Sequence, residues 1–155
     1  MEIKKVPWQD TISIRHQVLW PDKTPEFCHV EGDDHAFHYG AFIHGKLVCV
    51  ASIFITDKTA RLRKFATLDE HQGKGIGSAI LTHILNELNS LEIKDMWFDA
   101  RDSVAGFYQK FGFDVMGEPF FKGDILYVKM GADLVDVVKS PVSSGDLQHS
   151  ADNAK

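Results

Sequence analysis

A chain of 155 residues has the length of one ordinary domain, so a single core with one dominant site is expected and two full domains are not. An apolar share of 44% with 25% charged residues is near the globular average and excludes a coiled coil, a collagen-like repeat and wholesale disorder. Seventeen basic against 22 acidic residues leave a net charge of −5, so no overall positive field draws the chain to nucleic acid.

Residues 1–10 hold no apolar stretch behind their lysines, and residues 2–6 read as a first strand. Asp10 can cap a helix carrying Ile12, Ile14, Val18 and Leu19, which Pro21 stops. Residues 20–34, with prolines at 21 and 25, form a loop or broken helix, and 36–43 alternate as a strand. His44-Gly45 makes a turn into 46–56, rich in Val, Ile and Phe, and after a break at 57–59 the strand pattern resumes over 60–68, completing an antiparallel meander. The longest nearly apolar run, 47–55, is about half of what spans a bilayer, so a cytoplasmic protein without membrane contact is expected. Cys28 and Cys49 form no C-x-x-C unit and are expected to be reduced.

Apolar residues at 76, 80, 81, 84, 85, 88 and 91 fall on one face of a helix of 3.6-residue period. Residues 95–100 form a short strand, and Val104, Phe107, Tyr108 and Phe111 mark a second short helix ended by Gly112. Residues 113–116 and 125–130 close the pattern as two strands around a loop at 117–123. The order β, α, β, β, β, α, β, α, β, β predicts an α+β domain with a mixed sheet of about seven strands over residues 1–131. Residues 132–155 are read as a flexible tail, small and polar from Ser140 onward, with a short apolar prelude at 134–138 that packs on the body or on a partner.

The most informative segment is Gln72-Gly73-Lys74-Gly75-Ile76-Gly77, between a strand and the long helix. Alternating glycines let backbone approach a ligand, while the unpaired N–H groups and positive dipole end of the helix favour an anion such as a pyrophosphate, with Lys74 adding a cation. The bland alternative is a glycine-rich turn that only joins strand to helix. A Walker loop and the G-x-G-x-x-G dinucleotide fingerprint both fail on spacing.

The pattern Q-x-x-G-x-G after an antiparallel strand and before an amphipathic helix resembles the signature loop of the GNAT superfamily of acyl-CoA-dependent N-acetyltransferases. A second block, Ala100 through Phe113 with its Phe107-Tyr108-Gln109-Lys110-Phe111-Gly112-Phe113 ending, is similar to that superfamily's F-Y-x-K-x-G-F unit, and the element order agrees over roughly the first 130 residues. The resemblance implies a GNAT-like fold with acetyl-CoA as co-substrate. It implies that backbone groups of Phe65, Ala66 and Thr67 meet the pantetheine arm, and that the amides of Gly73, Lys74, Gly75, Ile76 and Gly77, with the Gln72 side chain, take the pyrophosphate. Tyr108 aligns with the tyrosine that protonates the departing thiolate, a role a phenol of pKa about 10 can perform toward a thiol near 8.5. Arg101 stands where many members carry Asn against the cofactor arm.

Acyl transfer to an amine of pKa about 10.4 needs a proton acceptor. Residues 60–65 offer only cations where some members carry a carboxylate, and Arg61, Arg63 and Lys64 read as a solvated face. Candidates by type are Glu31, Asp33, His35, His38 and Asp99, against the plainer readings of 31–34 as a solvated turn and His38 as a strand-surface or core histidine. Cys28, His29, His35 and His38 fit no zinc spacing, so no metal is expected. Trp8, Trp20 and Trp97 read as core aromatics, with Trp20 a candidate for an acceptor pocket. The expected function is acetyl transfer from acetyl-CoA to a primary amine by direct attack, the amine being a small molecule or a peptide; a homodimer is compatible with the sequence. The alternatives are a CoA-binding regulatory module without turnover and a protein-interaction domain with an empty cleft.

Overall fold

The computed structural model of the chain describes residues 1–137. The strands are β1 (Glu2–Val6), β2 (Phe37–Ile43), β3 (Lys46–Thr56), β4 (Thr59–Thr67), β5 (Asp95–Arg101), β6 (Asp114–Lys122) and β7 (Ile125–Asp133). The α-helical segments are α1 (Ile12–Ile14), α2 (Ile76–Ser90) and α3 (Ala105–Gln109). One seven-stranded sheet has the order β1-β2-β3-β4-β5-β7-β6. Every pairing is antiparallel except β4 with β5, so the sheet is mixed as the alternation of strands and helices predicts.

Helix α2 forms because its apolar residues repeat on one face: Ile76, Ile80, Leu81, Ile84, Leu85 and Leu88 are all buried. Burying such a side chain contributes roughly 2 kcal/mol, so this stripe is what docks the helix on the sheet. The Tyr39 hydroxyl on β2 donates to Glu87 of α2 at 2.8 Å, and Phe98 of β5 packs on Tyr108 of α3 with ring centroids 4.4 Å apart. One face of the sheet therefore carries α2 and α3. The N-terminal helical stretch covers the other face over β2, β3 and β4, where Arg15 reaches Ser52 of β3 at 2.9 Å.

Several expectations need correction. The helical stretch begins at Trp8, directly after Pro7, as a 3-10 turn, passes through the single α-turn of α1 and continues as a π-helix over Arg15–Leu19. Asp10 thus lies inside the first turn and does not cap it; its own amide donates to the Pro7 carbonyl at 3.0 Å. The loop expected at 117–123 is strand: β6 runs through it, and a register shift between Met116 and Phe120 absorbs Gly117 and Pro119. A proline is tolerated there because β6 is an edge strand, where an N–H can be lost without breaking a ladder.

Within the described residues the apolar prelude, here 134–137, packs on the body. Strand β7 reaches Asp133, the Leu134 amide donates to the Lys94 carbonyl at 2.8 Å, and Leu134 and Val137 are buried. Gly112 is required for this closure, since a Cβ there would stand 2.7 Å from the Asp136 carbonyl oxygen and its φ is +103°. The polar tail from Ser140 lies outside the described residues.

Candidate active site

The parallel ladder between β4 and β5 is confined to Thr59, Ala60 and Arg61 against Asp95, Met96 and Trp97. Beyond Arg61 and Trp97 the two strands diverge, and a gap opens in the middle of the sheet. The divergence starts where β4 is bulged: Val50 pairs with Ala66 and Ser52 with Arg63, so β4 carries one residue more than β3, and Lys64 takes a φ of +55°. Lys64 is buried, its ammonium 4.6 Å from the centre of the Trp20 ring. The bulge is thus fixed from below by the N-terminal helical stretch.

Past the bulge, the Leu68 amide donates to Val48 on β3 at 2.9 Å. By strand alternation Thr67 and Phe65 direct their backbone groups to the gap, and Ala66 directs its own to Val50. Gln72 ties the next loop to this strand end, its side-chain nitrogen donating to the Thr67 carbonyl at 3.0 Å and to Asp69 at 3.3 Å. The loop turns through Gly73 (φ +73°) and Gly75 (φ +82°), and Gly75 is the N-cap of α2. Nothing lies within 4 Å of the position a Gly75 Cβ would take. The Ala79 amide is the first to bond back, to the Gly75 carbonyl at 3.1 Å, so the amides of Ile76, Gly77 and Ser78 precede the helical ladder, and no acidic residue occupies that turn.

Tyr108 lies on the face of the sheet that carries α2 and α3, against Phe98 of β5. It is fully buried among Phe98, Phe107 and Cys49, yet its hydroxyl has no hydrogen-bond partner among the described residues. Burial, with a smaller contribution from Cys49, pushes the phenol well above its usual range, so it carries its proton at neutral pH. Cys49 pairs with Thr67 across the sheet and receives the Thr67 hydroxyl at 3.2 Å, which sets Tyr108 beside the end of β4. The structure therefore brings together Phe65, Thr67, Gln72, the glycine loop and Tyr108.

Arg101 stands apart from that group. Alternation along β5 puts Met96, Phe98 and Ala100 on the Tyr108 side and Asp95, Trp97, Asp99 and Arg101 on the opposite face.

Of the five candidate bases, Asp99 stands beside the gap, paired with Arg61 at 3.6 Å and Lys122 at 3.5 Å. Glu31 and His35 are exposed in the loop before β2. Asp33 and His38 belong to a buried network that sequence reading missed. Arg15 holds Asp33 through two bonds of 2.8 and 3.0 Å and also donates to the Cys28 carbonyl and Ser52. Residues 31–34 are thus a solvated turn except at Asp33, which is 1% exposed. Burial alone would raise the Asp33 pKa, but the Arg15 guanidinium and the Val30 amide outweigh it and hold the carboxyl below its ordinary value.

His38 lies between the Ser52 hydroxyl at 2.7 Å and the Asp33 carbonyl at 2.9 Å. A carbonyl only accepts, so Nε2 donates there and Nδ1 accepts from Ser52; both nitrogens are engaged and burial keeps the ring neutral. His38 is therefore a core histidine. Arg15 was the available signal: a charged residue between Ile14 and Val18 on the apolar side of the first helix requires a buried partner.

The pH dependence of stability follows. The folded-state pKa of His38 is lowered, so its contribution is complete above pH about 6.5 and is lost as pH falls through the lower folded value, with a limiting slope of about 1.4 kcal/mol per pH unit. Asp33, also lowered, adds a second loss below pH about 4. Urea unfolding of wild type and His38→Gln between pH 7 and 5 should show the steeper decline in wild type; equal slopes would mean that folding leaves the His38 pKa unshifted.

Arg61 and Arg63 also depart from the solvated face expected of them. Arg61 stacks on Trp97, 4.4 Å from the ring centre, and Arg63 stands 5.2 Å from that of Phe54. Trp8, only half-buried, stacks on His29 at 4.0 Å, whereas Trp20 is in the core. Both cysteines are free and buried. Among the described residues no three His, Cys, Asp or Glu side chains converge to hold a metal ion, and no helix is long and apolar enough to cross a membrane.

Comparison with known proteins extends this geometry. Residues 15–134 match the family described as Acetyltransferase (GNAT) domain. The chain is 35% identical over 130 residues to the uncharacterized N-acetyltransferase YitI of Bacillus subtilis, covering 77% of this chain and 87% of that one. It is 26% identical to the [ribosomal protein bS18]-alanine N-acetyltransferase of Escherichia coli over 64% of this chain and 67% of the relative. The crystal structure of the E. coli ribosomal-protein-S18-alanine N-acetyltransferase superposes with a TM-score of 0.72 at 18% identity, covering 86% and 93% of the two chains. An aminoglycoside 6'-N-acetyltransferase complexed with coenzyme A superposes with a TM-score of 0.70 at 14% identity, covering 86% and 97%.

Proposed function

Because the chain belongs to the GNAT acetyltransferase family, whose members transfer an acyl group from acyl-CoA, we propose that it binds acetyl-CoA in the gap between β4 and β5 and passes the acetyl group directly to a primary amine. The observation that carries this reading is the divergence of β4 from β5 just past Arg61 and Trp97, on a sheet whose α2 face also holds a phenol that is buried without a hydrogen-bond partner among the described residues.

An extended pantetheine arm can replace the missing ladder by hydrogen bonding to the backbone of Phe65 and Thr67. Its pyrophosphate then meets the amides of Ile76, Gly77 and Ser78 and the positive end of the α2 dipole, beside Lys74. The thioester comes to rest near the Thr67 amide, which polarises its carbonyl as negative charge develops on oxygen. The cofactor approaches from the α2 side, so the amine enters from the opposite face, where Asp99 is placed to receive its proton through water.

Attack by the amine nitrogen forms the C–N bond and breaks the C–S bond, and the thiolate takes the Tyr108 proton. Burial makes the phenol a weak acid, but it raises the proton affinity of a thiolate in the same pocket as well. The transfer is therefore between two groups shifted in the same direction.

Calorimetric titration with acetyl-CoA, ATP and NAD in parallel tests the reading. Saturable binding of acetyl-CoA alone, near one equivalent, is expected, followed by amine-dependent thiol release. Absence of acetyl-CoA binding would mean that the gap does not serve as an acyl-CoA site.

A further inference from the structure

At the mouth of the gap, on the face away from α2 and α3, cations predominate although the chain as a whole carries a net charge of −5. Arg61 and Arg63 on β4, Arg101 on β5 and Lys122 at the end of β6 surround the mouth of the gap on the side away from α2 and α3, by strand alternation and by the Arg61–Asp99 and Lys122–Asp99 pairs. Asp99, between Arg61 and Lys122, is matched by two cations.

Beside the mouth lies a cavity of about 270 Å³ lined by Phe54, Thr56, Thr59, Arg61, Arg63 and Trp97. Its two guanidinium groups stand against aromatic rings, Arg61 on Trp97 and Arg63 on Phe54, and two threonines line the same space. A guanidinium stacked on an aromatic ring is held in orientation and presents a planar fork of donors, which matches carboxylate or phosphate oxygens. A larger cavity of about 430 Å³, which shares Thr59 and Trp97, is lined instead by Asp95, Asp114, Asp133 and Asp136. It lies at the closed root of β5, β6 and β7, whereas Arg61 and Arg63 lead to the opening.

Resting on the acyl-transfer reading above, we propose that the amine acceptor also carries an anionic group, a carboxylate or a phosphate, and that Arg61 and Arg63 hold it in the arginine-lined cavity while the amine reaches the gap. Arg63 and Thr67 are four positions apart on β4 with the bulge between them, so amine and anion are on the order of 10 Å apart at a rise of about 3.3 Å per residue shortened by the bulge. Arg61 and Arg63 then act on acceptor choice, and the amides of α2 on the cofactor.

The test uses primary amines of one chain length that end in a carboxylate, a phosphate, a hydroxyl or an ammonium group, with thiol release as the readout. The carboxylate or phosphate acceptor should exceed the hydroxyl acceptor at least ten-fold in kcat/KM, with the ammonium acceptor poorest; whichever anion leads identifies the group recognised. Arg63→Gln should shrink that advantage at least five-fold through KM, and Arg63→Lys should restore part of it, while calorimetry shows acetyl-CoA affinity within two-fold of wild type. Equal rates across the four acceptors, preference for the ammonium acceptor, or an unchanged ratio in Arg63→Gln would overturn the proposal while leaving acyl transfer in place. Failure of the wild-type protein to bind acetyl-CoA would overturn both.

Discussion

Gly75→Asp should abolish acetyl-CoA binding. Gly75 is the N-cap of α2 at φ +82°, a conformation that costs an ordinary side chain about 1–2 kcal/mol. Among the described residues the space its Cβ would enter is open, so beyond the backbone strain the effect of the substitution falls on the ligand. A carboxylate there competes for the amides of Ile76, Gly77 and Ser78 and repels a pyrophosphate, and like-charge juxtaposition costs several kcal/mol, which corresponds to a loss of affinity of at least ~100-fold. Gly75→Asn tolerates the same backbone without the charge and should retain measurable binding. Calorimetry on both variants separates strain from charge; wild-type affinity in Gly75→Asp would remove the loop from the site.

Tyr108→Phe should lower kcat by about 10²- to 10⁴-fold, the range supplied by a positioned general acid, with acetyl-CoA affinity within a few-fold of wild type. The buried hydroxyl has no hydrogen-bond partner among the described residues, so its removal leaves none of their groups unsatisfied and should not reduce stability in urea. A tyrosine that only packs gives unchanged turnover, and unchanged stability in urea shows that any loss of turnover does not come from unfolding. The two measurements together therefore distinguish the acid from a packing residue. If kcat is unchanged, the thiolate is protonated by another group.

The glycine loop was legible because local needs dictate its residues: a strand-to-helix turn at positive φ calls for glycine, and Gly73 and Gly75 supply it. The long helix was legible for a similar reason, since the period of its apolar residues already names its buried face. Tyr108 could be placed on a helix by spacing, but its missing hydrogen bond depends on Cys49, Phe98 and Phe107 enclosing it from three separate elements. The Arg15, Asp33, Ser52 and His38 network was hidden because its members come from four separate segments and bond only after α1 packs on β3. Local reading made Asp33 a surface turn residue and His38 one of several candidate bases.

The sequence alone determined the order of elements, the apolar faces, the glycine-rich loop before the long helix and the family resemblance, all of which rest on contacts or patterns within about fifteen residues. The tertiary structure decided what lies between those segments: how far β4 and β5 run together before they part, and that Lys64 is buried at the bulge where they do. It also placed Asp99 and the two arginines on the face opposite Tyr108. Register and strand divergence are set by packing between elements distant in the chain, and alternation then sends each side chain to one face or the other. One extra residue in β4 therefore shapes the gap, and the seven strands and their order do not reveal it.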